Sequence, residues 1–269
     1  TVFQRGVLAV ALARSNDDRG GHSWGICGVV DGRPDVHRGL GDLAPNVSVI
    51  GPYLDMYAHA RWATTGAKTV ANAHPFTVGR IIGAHNGMVY NHEALQLAYG
   101  RTFSVDSQHL VAHLDAGLSL DDVEGYGALE WHDSANPGRL YLSRLQGGEL
   151  AVYGLGTPQA CRGIVWSSDE AHLLEALEAA GCHDAFEYGL DVGDVYFAEA
   201  GRLYIDKSRR LDLSERHESV VDWRSMGIDA DETIDALEAA DRDLPLDAYE
   251  QMMRYDERDT DRKRWKRDH

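Results

Sequence analysis

His59-Ala60-Arg61-Trp62-Ala63-Thr64-Thr65-Gly66 reads as a strand that runs into a polar turn. Arg61 closes the strand beside an aromatic ring and two hydroxyls. In that setting its planar guanidinium offers a rigid fork for a carboxylate, whereas alone it would read as half of a surface ion pair. Downstream, the loop Asn72-Ala73-His74-Pro75-Phe76 has its direction fixed by proline. Gly83-Ala84-His85-Asn86-Gly87-Met88-Val89 then reads as a strand meeting a tight Asn-Gly turn. There the Asn86 amide and the Gly87 N–H form either a pair of convergent neutral donors, an oxyanion hole, or an ordinary hairpin. Val105-Asp106-Ser107-Gln108 precedes a helix, with Asp106 either its N-cap or a carboxylate for a substrate ammonium.

The flanking pattern describes a mixed α/β domain over residues 1–205. A buried helix is expected at Val7–Arg14, and a buried strand at Trp24–Val30, stopped by Asp31-Gly32. Further strands are expected at Met56–Trp62, Val78–Ala84, Leu140–Leu145, Leu150–Tyr153, Gly163–Ser167, Asp194–Phe197 and Arg202–Ile205. Helices fit Asn91–Ala98, Ser107–Ala116 and Asp169–Ala180, the last capped by Ser168 and closed by Gly181. Strands in runs favour antiparallel or mixed sheets over a doubly wound parallel sheet.

In this order the motifs resemble the glutaminase domain of class II glutamine amidotransferases, which are N-terminal-nucleophile (Ntn) hydrolases. Arg19-Gly20-Gly21-His22-Ser23-Trp24-Gly25-Ile26 is similar to the family's Arg-Gly-x-Asp-Ser-x-Gly segment, with His22 where aspartate is usual. Leu140-Tyr141-Leu142-Ser143-Arg144, Trp166-Ser167-Ser168-Asp169 and Gly193-Asp194-Val195 agree with it. The resemblance covers residues 1–205 and implies a four-layer αββα sandwich. It implies that Arg61 binds the α-carboxylate of glutamine, Asp106 its α-ammonium, and Asn86 and Gly87 the tetrahedral oxyanion. Trp62, Thr64 and His85 lie in the same motifs and are expected to shape the substrate pocket. No cofactor is implied.

The nucleophile departs from the pattern. The family uses an N-terminal cysteine at the head of its first strand, whereas this sequence opens on Thr1. A threonine serves chemically, because its own α-amine, with an unperturbed pKa of about 7.7–8.0, can take the hydroxyl proton. Phe3-Gln4-Arg5 reads as the end of a first strand, which keeps an upstream cysteine open, as it does a pseudoenzyme without a nucleophile. Cys27, inside an apolar strand, is a poor substitute. His109 and His113 stand four residues apart on a helix, but the glutamate of H-E-x-x-H and a third ligand are missing, so packing outweighs zinc.

Composition bounds the rest. The 269 residues, 43% hydrophobic, suit one large domain with an appendage. No apolar run approaches the roughly 20 residues of a membrane span, and the opening residues carry no signal-like block. Three cysteines without a C-x-x-C pair fit a reducing, cytoplasmic setting. A formal charge of −17 repels phosphate backbones and makes nucleic acid an unfavoured partner. Residues 206–269 are dense in charge, with a helical stripe at Ile234, Leu237 and Ala240, a break at Pro245, and a basic end, Arg262-Lys263-Arg264-Trp265-Lys266-Arg267. This stretch is either a solvated, partly helical extension or a docking arm for a partner. Ammonia transfer would need such a partner, an acceptor-activating synthase. Two other functions stay open at this stage: a threonine Ntn hydrolase of another amide or of its own precursor, and a non-catalytic assembly protein reusing the fold.

Overall fold

Antiparallel pairing organises every sheet among the described residues. In the computed structural model, residues 2–30, 33–50, 53 and 55–207 are described; Thr1, the Asp31-Gly32 stop and the expected helices beyond 207 lie outside them. Helix α1 (Val2–Asp17) opens the chain and is followed by strands β1 (Ser23–Val30), β2 (Arg33–Leu40) and β3 (Met56–Arg61). Strands β4 (Phe76–Val78) and β5 (Ile81–Val89), helices α2 (His92–Tyr99) and α3 (Asp106–Asp115), and strands β6 (Gly125–Asp133) and β7 (Leu140–Arg144) come next. Strands β8 (Ala151–Thr157) and β9 (Ala160–Ser167), helix α4 (Glu170–Ala179), and strands β10 (Phe186–Tyr188), β11 (Val195–Glu199) and β12 (Arg202–Ile205) complete the described fold.

These strands form three sheets, ordered β2-β1-β3, β10-β8-β9 and β12-β11-β7-β6-β5-β4. Each large-sheet strand buries its two faces differently, because successive side chains alternate. On one face Leu129, Trp131 and Tyr141 pack with Leu110, Val111 and Leu114 of α3. On the other, Ala128 and Leu142 meet Val152 and Ile164 of the β8-β9 sheet, while Ala84 and Leu140 meet Cys27 and Tyr57 of the β1-β3 sheet. The far side of the two small sheets is covered by α1 and α4. Leu8 packs with Leu173, Ala176 and Leu177, and Ala13 packs with Trp24 and Ile26. Helices, small sheets, large sheet and helices together make the αββα sandwich that the resemblance implies.

Several local expectations are corrected. Residues 2–5 begin a helix rather than ending a strand. The segment expected as one strand at Val78–Ala84 divides at a turn, with Gly79 at φ 55°, into β4 and β5. Strand β5 runs straight through Asn86-Gly87, so this dipeptide is not a hairpin turn; Asn86 pairs with Ala128 and Gly87 with Gly127. The N-cap of α4 is Asp169, whose carboxylate accepts from the His172 N–H at 3.1 Å, and not Ser168. Gly181, at φ 65°, does close that helix. Ser168 instead accepts a hydrogen bond from Arg19, at 3.3 Å, which joins two motifs 149 residues apart.

Among the described residues no helix is long and apolar enough to cross a membrane.

Candidate active site

Arg61 ends β3 directly opposite Ser23 of β1. The chain reaches this point through a close approach: a Cβ at Gly20 would stand 2.6 Å from the Ala60 Cβ, so only glycine lets the Arg19-Gly20-Gly21 segment lie against β3. His22 then pins the following turn. Its Nδ1 accepts from the Ala63 N–H at 2.9 Å, and its ring stacks on Trp62 with centroids 4.1 Å apart. Trp62 remains 44% exposed, as an aromatic at the rim of a pocket would be. Thr64 is exposed on the same turn.

Arg61 is only 3% exposed, which rules out the surface ion pair. One guanidinium nitrogen, Nη2, donates to the Thr65 carbonyl. The other, Nη1, is buried without a protein partner. Burial pulls the guanidinium pKa down and the nearby Asp106 carboxylate pushes it back up. Arginine nevertheless stays charged at any physiological pH, so a buried cation here keeps an open donor.

Asp106 is the first residue of α3, with Val105 in the cap position, so its side chain is not the N-cap. It turns toward β5 and the Arg61 loop. Its Oδ2 accepts from the Val89 N–H at 2.9 Å, and its Oδ1 accepts from the Thr65 hydroxyl at 2.8 Å. Each carboxylate oxygen has two acceptor sites, so both retain one. A buried cation with a free donor and a buried anion with free acceptors, joined through Thr65, suit the two ends of a zwitterion.

Strand β5 supplies the neutral side of the site. His85 is 2% exposed. Its Nε2 lies 3.1 Å from the Tyr126 carbonyl, which can only accept, so Nε2 carries the proton; Nδ1, 3.1 Å from the Ser107 Oγ, is then the acceptor of that hydroxyl. Burial lowers the His85 pKa, Asp106 and the Tyr126 carbonyl oppose the change, and the ring is neutral. Beside it, Gly87 (φ 156°) faces Gly127 (φ 138°) across the ladder. A Cβ on Gly87 would stand 2.0 Å from the Tyr126 oxygen and 2.8 Å from His85 Nε2. Only glycine permits this approach, which fixes the Asn86-Gly87 peptide; the Asn86 side chain is exposed.

Two more histidines close the inner wall. His59 and His74 stack with centroids 4.1 Å apart. His59 Nδ1 and both ring nitrogens of His74 are buried without partners. Desolvation is the main cause that lowers the His59 pKa to about 3 and that of His74 well below its usual value; the neighbouring histidine rings and Arg61 act in the same direction, and a hydrogen bond with the His85 backbone opposes it at His59. The pair is therefore neutral and polar, and three of its nitrogens are open.

The structure thus links Arg61 to Asp106 through Thr65, places Trp62 and Thr64 on the turn that follows Arg61, and sets His85, Asn86 and Gly87 on β5, whose Val89 N–H bonds Asp106. Thr1 lies outside the described residues. Thr65, His22 and Ser107 join these contacts as well, each within or next to one of the motifs quoted above. His109 and His113 take structural partners: His109 bonds the Tyr99 hydroxyl at 2.6 Å, and His113 Nε2 donates to the Ser119 carbonyl at 2.6 Å. Among the described residues no group of three or more His, Cys, Asp or Glu could hold a metal ion. Cys27 is fully buried, and desolvation pushes its thiol up to about 12, which leaves it unreactive.

No family model matches the chain. Curated relatives do match it. Glutamine–fructose-6-phosphate aminotransferase (isomerizing) of Zymomonas mobilis subsp. mobilis is 39% identical over 104 residues, 36% of this chain and 17% of that protein. The enzyme of the same name from Vibrio vulnificus is 35% identical over 183 residues, 58% of this chain and 29% of that protein. That from Pyrococcus horikoshii is 29% identical over 196 residues, 64% and 32% respectively. The chain therefore spans about a third or less of the length of these relatives. Among solved structures, glutamine phosphoribosylpyrophosphate amidotransferase from B. subtilis, complexed with ADP and GMP, superposes with a TM-score of 0.55 at 19% identity, covering 75% of this chain and 46% of that one. The allosteric regulatory enzyme of purine biosynthesis gives 0.56 at 18% identity, with the same coverage. At that identity the superpositions speak to the fold alone.

Proposed function

We propose that this chain, which carries a class II glutamine amidotransferase domain, hydrolyses the side-chain amide of glutamine and supplies the ammonia to an acceptor-activating partner. One observation carries the reading: a buried arginine with an unpartnered guanidinium nitrogen beside a buried carboxylate with free acceptor sites. Arg61 takes the α-carboxylate and Asp106 the α-ammonium, and the amide end then lies toward β5. There the Asn86 side-chain amide and the Gly87 N–H stabilise the oxyanion, the type of interaction that dominates many acyl transfers. Trp62 and Thr64 close the pocket from the turn, and neutral His85 holds the β5–β6 approach from behind.

The nucleophile in this reading is an N-terminal residue, Thr1 or a cysteine upstream of it; helix α1 begins at Val2, where the family has its first strand, which speaks for the upstream cysteine. Its hydroxyl or thiol attacks the γ-carbonyl carbon while its α-amine takes the released proton. The amine passes that proton to the departing nitrogen, ammonia leaves, and water cleaves the resulting acyl-enzyme to glutamate. Residues 1–205 form the glutaminase domain of this account, and 206–269 its charged extension and docking segment. The setting is a reducing, cytoplasmic one, in keeping with three free cysteines.

The test is glutamate and ammonia release from glutamine by the full chain, with peptide mapping after labelling by an electrophilic glutamine analogue. Label on Thr1 together with release supports the reading, and label on another residue moves the nucleophile there. Asn86→Ala is expected to lower kcat by about 10²–10³ while glutamine still binds. Binding without release or label would leave a non-catalytic, assembly-type role for the pocket.

A further inference from the structure

Thr65 touches both charged groups of the site, and it does so with two different atoms. Its carbonyl accepts from Arg61 Nη2, and its hydroxyl donates to Asp106 Oδ1. The turn that carries it is braced against the chain leading into α3. Gly66 adopts φ 73°, and a Cβ there would stand 2.7 Å from the Ser104 carbonyl and 3.0 Å from Val105 Cγ2, so the turn presses directly on residues 104–105. Asn72, 7% exposed, holds the same junction from the side: its Nδ2 donates to the Ala67 carbonyl at 2.9 Å and its Oδ1 accepts from the Ser104 hydroxyl at 2.9 Å.

We infer that Thr65 is the positioning residue that sets the spacing and orientation of the Arg61–Asp106 pair, and through the Asp106 bond determines selectivity for a substrate bearing an α-ammonium. This inference rests on the proposed glutamine site and deepens it. The reasoning is one of valence. The Val89 N–H occupies one site on Oδ2 and the Thr65 hydroxyl one site on Oδ1, so the remaining acceptor directions are fixed instead of free to rotate. A carboxylate held at both oxygens presents its open lone pairs in one geometry, and a compact ammonium needs that alignment more than a distant carboxylate does. The Arg61 contact uses the Thr65 backbone and survives any side-chain change, so a substitution at Thr65 separates the two ends of the clamp.

The test is calorimetric titration of the full chain with L-glutamine and with 4-carbamoylbutanoate, which is glutamine without its α-amino group. Thr65→Val keeps the side-chain shape and removes the hydroxyl; Thr65→Ser keeps the hydroxyl; Arg61→Ala tests the site itself. Thermal melting confirms that each variant is folded. Thr65→Val is expected to weaken L-glutamine binding roughly 10- to 100-fold, the usual effect of losing a hydrogen bond to a charged group. It should leave 4-carbamoylbutanoate binding unchanged, and Thr65→Ser should restore L-glutamine binding. If Arg61→Ala weakens both ligands while Thr65→Val binds glutamine like the parent, the role of Thr65 is overturned and the glutamine site stands. Equal weakening of both ligands by Thr65→Val, or no rescue by serine, also overturns the selectivity role, because a merely structural residue would behave so. If the parent fails to bind glutamine, or Arg61→Ala binds it unchanged, the glutamine site falls and this inference with it.

Discussion

Polar side chains are enclosed in two regions of this fold, one between the sheets and one at the end of β3, and they are satisfied in different ways. Between the sheets, the Trp166 indole N–H donates to Glu130 Oε2 at 3.2 Å, the Tyr57 hydroxyl donates to the Ile82 carbonyl at 2.8 Å, and Cys27 lies close by. Withdrawal from water pushes the Glu130 carboxyl up to about 7, and Tyr57 well above its usual value. Glu130, Tyr57 and Cys27 can each respond to burial by becoming neutral, and Glu130 and Tyr57 each have an internal partner; the His132 ring, beside Tyr57, keeps a buried nitrogen without one. At the end of β3, Arg61 cannot discharge, and one of its nitrogens, together with three ring nitrogens of His59 and His74, faces no protein partner. A buried donor left without a partner typically costs about 1–3 kcal/mol, so a protein that keeps several together points to an occupant they are shaped for. The closed region contributes to holding the sheets together. The open one is where the proposed site lies.

The same contrast predicts opposite responses to pH. Glu130 has a folded pKa of about 7 against an ordinary value of 4.5, so the folded state holds its proton more tightly. Its protonated form costs nothing at low pH, and stability is lost as pH rises from about 4.5 through 7. Glu130→Gln removes that loss and should gain roughly 2 kcal/mol relative to the parent between pH 5 and pH 8 in denaturant titrations. A parallel pH profile in the two proteins would show that Glu130 is not enclosed as described.

For His59 and His74 the sign reverses. Their folded pKa values are depressed, so the stability that goes with neutral rings is present above about 6.5 and is lost as pH falls below it. His74→Phe keeps a ring of similar bulk and has nothing to protonate. It is expected to recover up to about 2 kcal/mol relative to the parent at pH 5, with little difference at pH 7.5. Equal acid sensitivity of parent and variant would break the comparison by showing that the His74 ring reaches water.

How much of this could be read in the sequence differed between the same two regions. Strands β1, β3 and β7 were legible because an apolar run ended at a glycine or a polar turn. β2, with Pro34, Asp35 and Arg38, was not, because an edge strand exposed on alternate positions has no apolar run to find. β6 was hidden by Gly125, Gly127 and Glu130, two glycines needed for close approach and one carboxyl enclosed between sheets. Asn86-Gly87 carried the strongest short hairpin signal and yet lies inside a strand, since the partner Gly127 makes room that no local rule foresees. Arg61 and Asp106 were legible as charges beside turn residues. Thr65 and His22 were not, because their roles are hydrogen bonds to groups 41 residues away in sequence. The only signal for His22 was its presence at a position where the resembling family carries aspartate.

The central claim is that the open donors at the end of β3 are filled by an α-amino acid, and titration of L-glutamine into the full chain and into its Arg61→Ala variant tests it most directly. Saturable binding by the parent, weakened about 30-fold or more in the variant, is the predicted result, in line with the loss of one partner from a buried, hydrogen-bonded charge pair. Indistinguishable titrations for the two proteins, or no heat of binding with the parent, would contradict it.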